Sequence, residues 1–274
     1  MSEISHRIVA DLLYARTGQQ LTANRRWRID TALAGLFRER GISNLDQLVC
    51  LLADAREEDL TLEVVEALLN NETYFFRDRL MFDLLANEVL PDLAAKRADT
   101  RRLTIWSAGC STGQEALSLA MLFADQPQRW QGWRIDILGT DISGRAIEAA
   151  RGGLYTQFEI QRGLPIRLLV KYFERRDESW TLTPALRAMI QWRRVNLHGD
   201  ISSLGRFDVI FCRNVASQME PAAARRMLDQ MVHALARDGY LVLGAGEQGG
   251  AMSDSLRPLG GGVYAPKPSI SAAA

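Results

Sequence analysis

The hydrophobic pattern of this chain changes period at Arg102, and that change limits the fold to two architectures joined in one polypeptide. Before it, apolar residues recur at helical spacing: Ile4, Ile8 and Leu12; Ile29, Leu33 and Leu36; Leu45, Leu48, Val49 and Leu52; Leu62, Val65 and Leu69. Gly18 and Gly41 stand where helices stop, and Asn24 where the second would be capped. Residues 1 to about 95 therefore read as helices only. After it, strand-like runs at Leu103–Ser107, Arg134–Thr140, Phe207–Cys212 and Tyr240–Gly244 alternate with helical stretches. These are Glu115–Ala124, a helix carrying Ile147 behind a Ser143 cap, and one starting near Pro221. Strands alternating with helices build a doubly wound, mostly parallel α/β sheet, here preceded by an all-helical domain.

Gly152–Asn196 interrupts the alternation with a Gly-Gly pair, prolines and the period-two stretch Trp180-Thr-Leu-Thr183. A connection of that length has its own task, often substrate recognition. The end, residues 269–274, is linker-like. Charge limits the function: 33 basic and 33 acidic residues cancel, which argues against a general nucleic-acid or membrane-surface binder. Cys50, Cys110 and Cys212 show no paired spacing and read as reduced thiols. His6, His198 and His233 are not at ligand spacing, so no metal site is expected. The N-terminus lacks the basic and apolar regions of a signal peptide, and no apolar run approaches the ~20 residues of a membrane span. The expected protein is soluble.

Three stretches carry chemistry. Ile105-Trp-Ser-Ala-Gly-Cys-Ser-Thr-Gly-Gln-Glu115 gives a strand, a turn with Gly109 and Gly113, and a helix N-terminus, with backbone open to a ligand at the strand's carboxyl end. Asp141 ends the next strand, placed to accept hydrogen bonds from a ribose diol. Its loss is then expected to weaken ligand binding and leave the ligand-free stability nearly unchanged. The glycine spacing departs from the dinucleotide fingerprint, which disfavours a pyrophosphate and a nicotinamide oxidoreductase. A nucleoside ligand without phosphates, such as S-adenosylmethionine, needs fewer glycines. A purely structural turn remains open at this point. Asn71-Glu-Thr-Tyr-Phe-Phe-Arg77 reads on its residues alone first as an aromatic hinge, with Arg77 capping a helix, and second as a site segment. Phe207-Asp-Val-Ile-Phe-Cys-Arg-Asn-Val215 delivers Arg213 and Asn214 to a strand end, as ligand contacts or as a helix cap.

Taken together and in this order, these stretches and Thr140-Asp-Ile-Ser143 resemble the chemotaxis receptor methyltransferases, the CheR family, from about residue 5 to 265. The resemblance implies a class I methyltransferase-like fold with a helical recognition domain over 1–77. It implies a catalytic domain over 78–268 with a small antiparallel β insertion at about 152–196. It implies methyl transfer from S-adenosyl-L-methionine, leaving S-adenosyl-L-homocysteine, to glutamate carboxylates on the helical cytoplasmic region of a chemoreceptor-type protein. The cofactor would be lined by Asn71, Thr73, Arg77, Gly109, Glu115, Asp141, Asn196, Leu197, Arg213, Asn214 and Val215. A monomeric, cytoplasmic enzyme recruited to membrane-bound receptors is expected, with no nucleic-acid partner and no membrane insertion of its own.

A glutamate with a pKa near ~4.3 is ionised at neutral pH and attacks without a general base, so positioning is what the protein must supply. Arg77 is the natural guide for that carboxylate, because its planar fork matches it. Arg25, Arg26 and Arg28 would meet an acidic receptor helix, unless they form a solvated face. One departure stands out: Gln218 occupies the place of a tyrosine that the family uses near the substrate, so it is the second candidate catalytic position. That change alone favours a catalytically weak, cofactor-binding regulatory module as the alternative. A methyltransferase for nucleic acid would need a base clamp or basic stripe that is missing. The segment Glu174–Trp180 lacks glycine and is shorter than in relatives that dock a C-terminal receptor peptide, so no tethering peptide is expected to be needed.

Overall fold

The structure, a computed structural model, describes residues 3–21, 27–54, 58–247 and 254–267. The chain divides into two compact units, one comprising residues up to Asn70 with Ser217–Ala224, the other Asn71–Ala216 with the residues from Arg225 on.

The first unit is helical: α1 (Glu3–Thr17), α2 (Trp27–Arg40), α3 (Leu45–Leu52) and α4 (Glu58–Leu68). Its core joins Val9, Leu13, Ile29, Leu33, Leu36, Leu45, Leu48, Leu60, Val64 and Leu68. Two of the expected apolar faces are rotated. In α1 the buried line is Ser5, Val9 and Leu13, while Ile4 and Ile8 are 69% and 41% exposed. The Ser5 hydroxyl is satisfied by Asp46, so a polar residue takes the inner position there. In α4 the buried residues are Leu60, Thr61, Val64, Val65 and Leu68, with Leu62 and Leu69 only partly covered. Gly41 ends α2 at φ +66, and Asn44 caps α3 by accepting from Gln47 N at 2.9 Å. The Gln19 and Met219 backbones form a bridge, with Gln20 N donating to Gln218 O at 2.9 Å and Glu220 N to Gly18 O at 2.9 Å. The expected cap Asn24 lies outside the described residues.

The second unit opens with α5 (Arg79–Leu84), which runs through a π-turn at Leu85–Val89 into α6 (Leu90–Lys96). Then follow β1 (Arg102–Ala108), α7 (Gln114–Ala124), β2 (Arg134–Asp141) and α8 (Gly144–Gly152). The next stretch holds β3 (Leu154–Thr156), α9 (Gln157–Gln161), α10 (Ile166–Tyr172), β4 (Phe173–Arg176), β5 (Ser179–Leu182), α11 (Pro184–Arg187) and β6 (Ile190–Arg194). The chain continues through β7 (Phe207–Cys212), α12 (Pro221–Ala234), β8 (Leu235–Leu243), β9 (Leu256–Gly260) and β10 (Val263–Pro266).

The large sheet has the order β6-β2-β1-β7-β8-β10-β9, parallel from β6 to β8 and closed by the antiparallel β10 and β9. This is the doubly wound sheet expected from the alternation. β7 is buried at every residue, which is why it reads as an unbroken apolar run. The last strand of the interrupting stretch, β6, pairs with β2 in this sheet, while β3, β5 and β4 form a separate antiparallel sheet. Phe75 packs edge-on against Tyr155 and Phe173, at 5.3 and 5.7 Å between centroids, so the Asn71–Arg77 stretch is anchored on the small sheet. Gly163, at φ +83, admits that approach: a Cβ there would lie 2.0 Å from the Phe75 carbonyl oxygen. Among the described residues no helix is long and apolar enough to cross a membrane.

Candidate cofactor site

β1 is flanked by β2 on one side and β7 on the other, so the strand order reverses there. In open α/β sheets ligands bind at the carboxyl ends of the strands beside such a point. The turn after β1 is tied down first: Gly109 N and Cys110 N both donate to Thr140 O, at 2.8 and 2.9 Å. Gly109 has φ +74, and a Cβ on it would stand 2.5 Å from Val215 Cγ2. The glycine therefore lets the segment after β7 close over the turn. Ser111 holds a left-handed φ of 51, fixed by its N–H donating to Asp141 Oδ2 at 2.8 Å and its Oγ to Asn71 O at 2.7 Å.

Asp141 is 6% exposed, and its other oxygen, Oδ1, accepts from Ser143 N at 2.9 Å. Ser143 in turn caps α8 by accepting from Ala146 N at 3.1 Å. The Asp141 carbonyl accepts Val195 N at 2.9 Å, which brings the stretch holding Asn196 and Leu197 to the same strand end. Leu197 is buried, and Asn196 is exposed with its Oδ1 accepting His198 N at 3.0 Å.

Glu115, in the first turn of α7, accepts from Ser107 Oγ at 2.7 Å and from Arg213 Nη1 at 3.2 Å. Burial raises its carboxyl above the usual glutamate value, while Arg213, Ser107 and Arg77 pull it back. Arg213 is buried, its Nη2 also reaches Asp78, and its Nε has no partner among the described residues. Asn214 turns left-handed at φ 59, and its N–H donates to Glu247 Oε2 at 2.8 Å. The same oxygen accepts Gly244 N at 2.8 Å, so the buried Glu247 joins the ends of β7 and β8. The Cys110 and Cys212 thiols are pushed well up, by burial first and then by the carboxylates around them, which makes both poor nucleophiles.

Arg77 is half-buried, donates to Glu72 O at 3.2 Å and lies 5.4 Å over the Tyr74 ring. Arg162 occupies the same ring at 4.8 Å and pairs with Glu72 at 2.9 Å. Of the residues singled out from the sequence, the contacts join Asn71, Gly109, Glu115, Asp141, Arg213, Asn214 and Val215. Arg77 bears on Glu115 through its charge, and Thr73 is half-buried within the anchored stretch. Gln218 belongs to the helical unit, where its carbonyl accepts Gln20 N. Arg28 lies half-buried in α2; Arg25 and Arg26 lie outside the described residues. Sequence reasoning missed Asp78 and Glu247. Asp78 directly follows a motif already in view, whereas Glu247 carries no local signal at all.

The donor set tests which ligand fits. At this end of the sheet Asp78, Glu115, Asp141 and Glu247 stand against two guanidinium groups, Arg77 and Arg213. Such an excess of carboxylate repels a pyrophosphate and suits a ligand that carries a sulfonium and an ammonium group. The frame around it is accordingly that of a class I methyltransferase. Residues 71–264 match the family model described as CheR methyltransferase, SAM binding domain. The chain is 36% identical to chemotaxis protein methyltransferase 1 of Pseudomonas aeruginosa, over 84% of this chain and 85% of that one. It is 33% identical to chemotaxis protein methyltransferase 1 of Vibrio cholerae, over 93% of both. Against the chemotaxis protein methyltransferase of Vibrio parahaemolyticus the identity is 32%, again over 93% of both. The chain belongs to the CheR methyltransferase family, and its cofactor is S-adenosylmethionine.

Proposed function

We propose that this methyltransferase esterifies glutamate side chains on the helical cytoplasmic part of a membrane-bound chemoreceptor-type protein. The observation that carries the reading is the state of Arg77. Arg213 is engaged by two carboxylates and Arg162 by Glu72, but Arg77, although its charge acts on Glu72 and Glu115, makes no close ion pair among the described residues. A half-buried guanidinium over the Tyr74 ring, with donors to spare, is suited to receive and orient an incoming carboxylate.

When bound, S-adenosylmethionine supplies a methyl group already activated on a sulfonium sulfur. Asn71, Thr73, Gly109, Glu115, Asp141, Asn196, Leu197, Arg213, Asn214 and Val215 would hold it. The receiving carboxylate is ionised at neutral pH, so no residue has to remove a proton. The protein's part is alignment, and Arg77 performs it as a positioning group for the substrate carboxylate. Gln218, an amide where a phenol is expected, keeps the weak regulatory module as the second reading.

Recognition of the receptor would fall to the α2 region, where Arg28 and the preceding Arg25 and Arg26 face an acidic helix through encounter and orientation. A tethering peptide is not required on this reading. β4 and β5 are joined by the two residues Asp177 and Glu178, with Asp177 at φ 53 and Arg175 Nε donating to its carbonyl at 3.2 Å. Charged side chains along Glu174, Arg175 and Arg176, all exposed, crowd an added strand.

Labelled methyl transfer to a candidate receptor, released as methanol by mild base, tests the reaction. Arg77→Ala should lower turnover by about 10²-fold or more while S-adenosylhomocysteine still binds. Base-stable label, or full turnover by that variant, refutes the reading. Micromolar binding of a peptide copying the receptor C-terminus, lost on mutating Arg175 or Trp180, refutes tether independence.

A further inference from the structure

One face of the large sheet, from the start of β1 and β2 across to β6, carries a second concentration of charge that methyl transfer does not use. Arg102 and Arg134 begin β1 and β2 as register partners, and Thr104 and Asp136 pair two residues further on. On the next strand Gln191 pairs with Leu138 and Arg193 with Thr140. Residues two apart in a strand share a face, so these side chains floor one side of β1, β2 and β6. With Arg206 from the segment before β7 they line a cavity of about 270 Å³. Its arginines at the start of β1 and β2 lie roughly 20 Å along β1 from the Gly109 turn, given about 3.3 Å per residue, while Arg193 pairs with Thr140 near the end of β2; none of the lining residues belongs to the cofactor site.

Four of the lining residues are arginines, and the one acidic lining residue is Asp136. Arg102 and Arg134 share it, at 2.9 and 3.0 Å, while the exposed Arg193 and Arg206 form no ion pair among the described residues. The neighbouring Asp208 is already held by Arg97 at 2.9 Å and by Thr104 N at 2.8 Å, so it does not neutralise them. In a chain whose formal charge is zero, this is a local excess of fixed positive charge inside a concave surface. A concavity of that volume has room for many waters, and so for more than one oxyanion. Guanidinium forks match phosphate oxygens, and phosphates concentrate the charge needed to balance the excess within that volume.

We propose that this cavity is a binding site for a small, nucleotide-sized anion bearing two or more phosphate groups, separate from the cofactor site. Calorimetric titration of the full chain with inorganic pyrophosphate and with ATP, at low salt, tests it. Both arms are repeated with saturating S-adenosylhomocysteine, because ATP shares an adenosine with the cofactor. The expected result is saturable binding of at least one probe, unchanged by S-adenosylhomocysteine and weakened by added salt. The double variant Arg193→Ser/Arg206→Ser should weaken it roughly tenfold while S-adenosylhomocysteine affinity is retained. If that variant also loses S-adenosylhomocysteine binding it is misfolded, and Arg206→Ser alone, expected to weaken the probe severalfold, decides the matter. Binding of neither probe, competition with S-adenosylhomocysteine, or undiminished binding by the arginine variants overturns the proposal. So does a poly-glutamate peptide that binds where both phosphate compounds fail, since it assigns the face to an acidic protein segment.

Discussion

Asp141→Ala is expected to damage the protein before any ligand is added. From the sequence, Asp141 is a ligand contact whose loss leaves the ligand-free fold nearly intact. In the structure its two oxygens accept the N–H groups of Ser111 and Ser143, at 2.8 and 2.9 Å, in surroundings where the residue is only 6% exposed. Alanine strands both donors. A buried donor left without an acceptor costs roughly 1–3 kcal/mol, and partial entry of water brings the pair to about 2–4 kcal/mol. That is a large share of a typical stability of roughly 5–15 kcal/mol. Asparagine keeps one acceptor but turns an N–H₂ toward the other donor, so it should recover less than half of the loss. The assays are denaturant unfolding without cofactor, amide exchange at Ser111 and Ser143, and calorimetry with S-adenosylhomocysteine. Faster exchange at both amides and a lowered midpoint are expected together with weaker binding. An unfolding free energy within about 0.5 kcal/mol of the parent, with unchanged exchange at both amides, would refute the reasoning.

Three other substitutions separate packing, backbone and charge. Leu13→Ala, on the buried line of α1, should cost about 2–5 kcal/mol, whereas Ile4→Ala should stay within about 0.5 kcal/mol; equal losses by urea unfolding would mean the helix faces are misassigned. Gly163→Ala puts a Cβ 2.0 Å from a backbone oxygen at a left-handed φ, so the melting temperature should fall sharply and the Phe75 aromatic cluster should lose its near-ultraviolet dichroism. Arg97 holds the Asp238 carboxyl down to about 2 from its ordinary 3.8, so the pair contributes stability above about pH 4 that disappears as pH falls through about 2. Because Asp238 is 43% exposed, Asp238→Asn should cost less than about 1 kcal/mol at pH 7, and that cost should shrink as pH falls through about 2, as urea midpoints across pH will show.

What the sequence makes legible follows from how each element is buried. β1, β2 and β7 lie in the interior of the sheet and read as apolar runs bounded by turns. β6 is an edge strand whose Gln191, Arg193 and Arg194 face solvent, so Ile-Gln-Trp-Arg-Arg carries no strand signature. β9 and β10 are short, exposed over much of β9, and joined through glycines, which hides them in the same way. The α1 face went astray because isoleucines mark an apolar stripe whether or not it is the inner one, and the true stripe begins with a serine, Ser5, and ends with a threonine, Thr17. Apart from Asn196 and Leu197, the motif residues of the site were visible because they share four short stretches. Their bonding was not, since Asp141 and Glu247 act on backbone N–H groups, and any residue can supply one.

That bonding has a common logic. The turns leaving a parallel sheet expose backbone donors just where a ligand must approach, and buried donors need acceptors. On one side of the switch point Asp141 serves the turns after β1 and β2; on the other Glu247 serves those after β7 and β8. Each is a carboxylate because two oxygens without a proton accept several N–H groups and donate none. Glu115 and Arg213 then join the two sides, running from the start of α7 to the end of β7, beside the contact of Gly109 with Val215. Arg213 also fastens Asp78, and with it the aromatic stretch that ends in Arg77. The acidic residues that make the site suitable for a cationic cofactor are therefore the same ones that hold its turns in place. On the proposed reading, binding and a rigid strand end depend on one set of side chains, so a variant that spares one role while removing the other must replace the oxygen atoms individually, as asparagine does at Asp141.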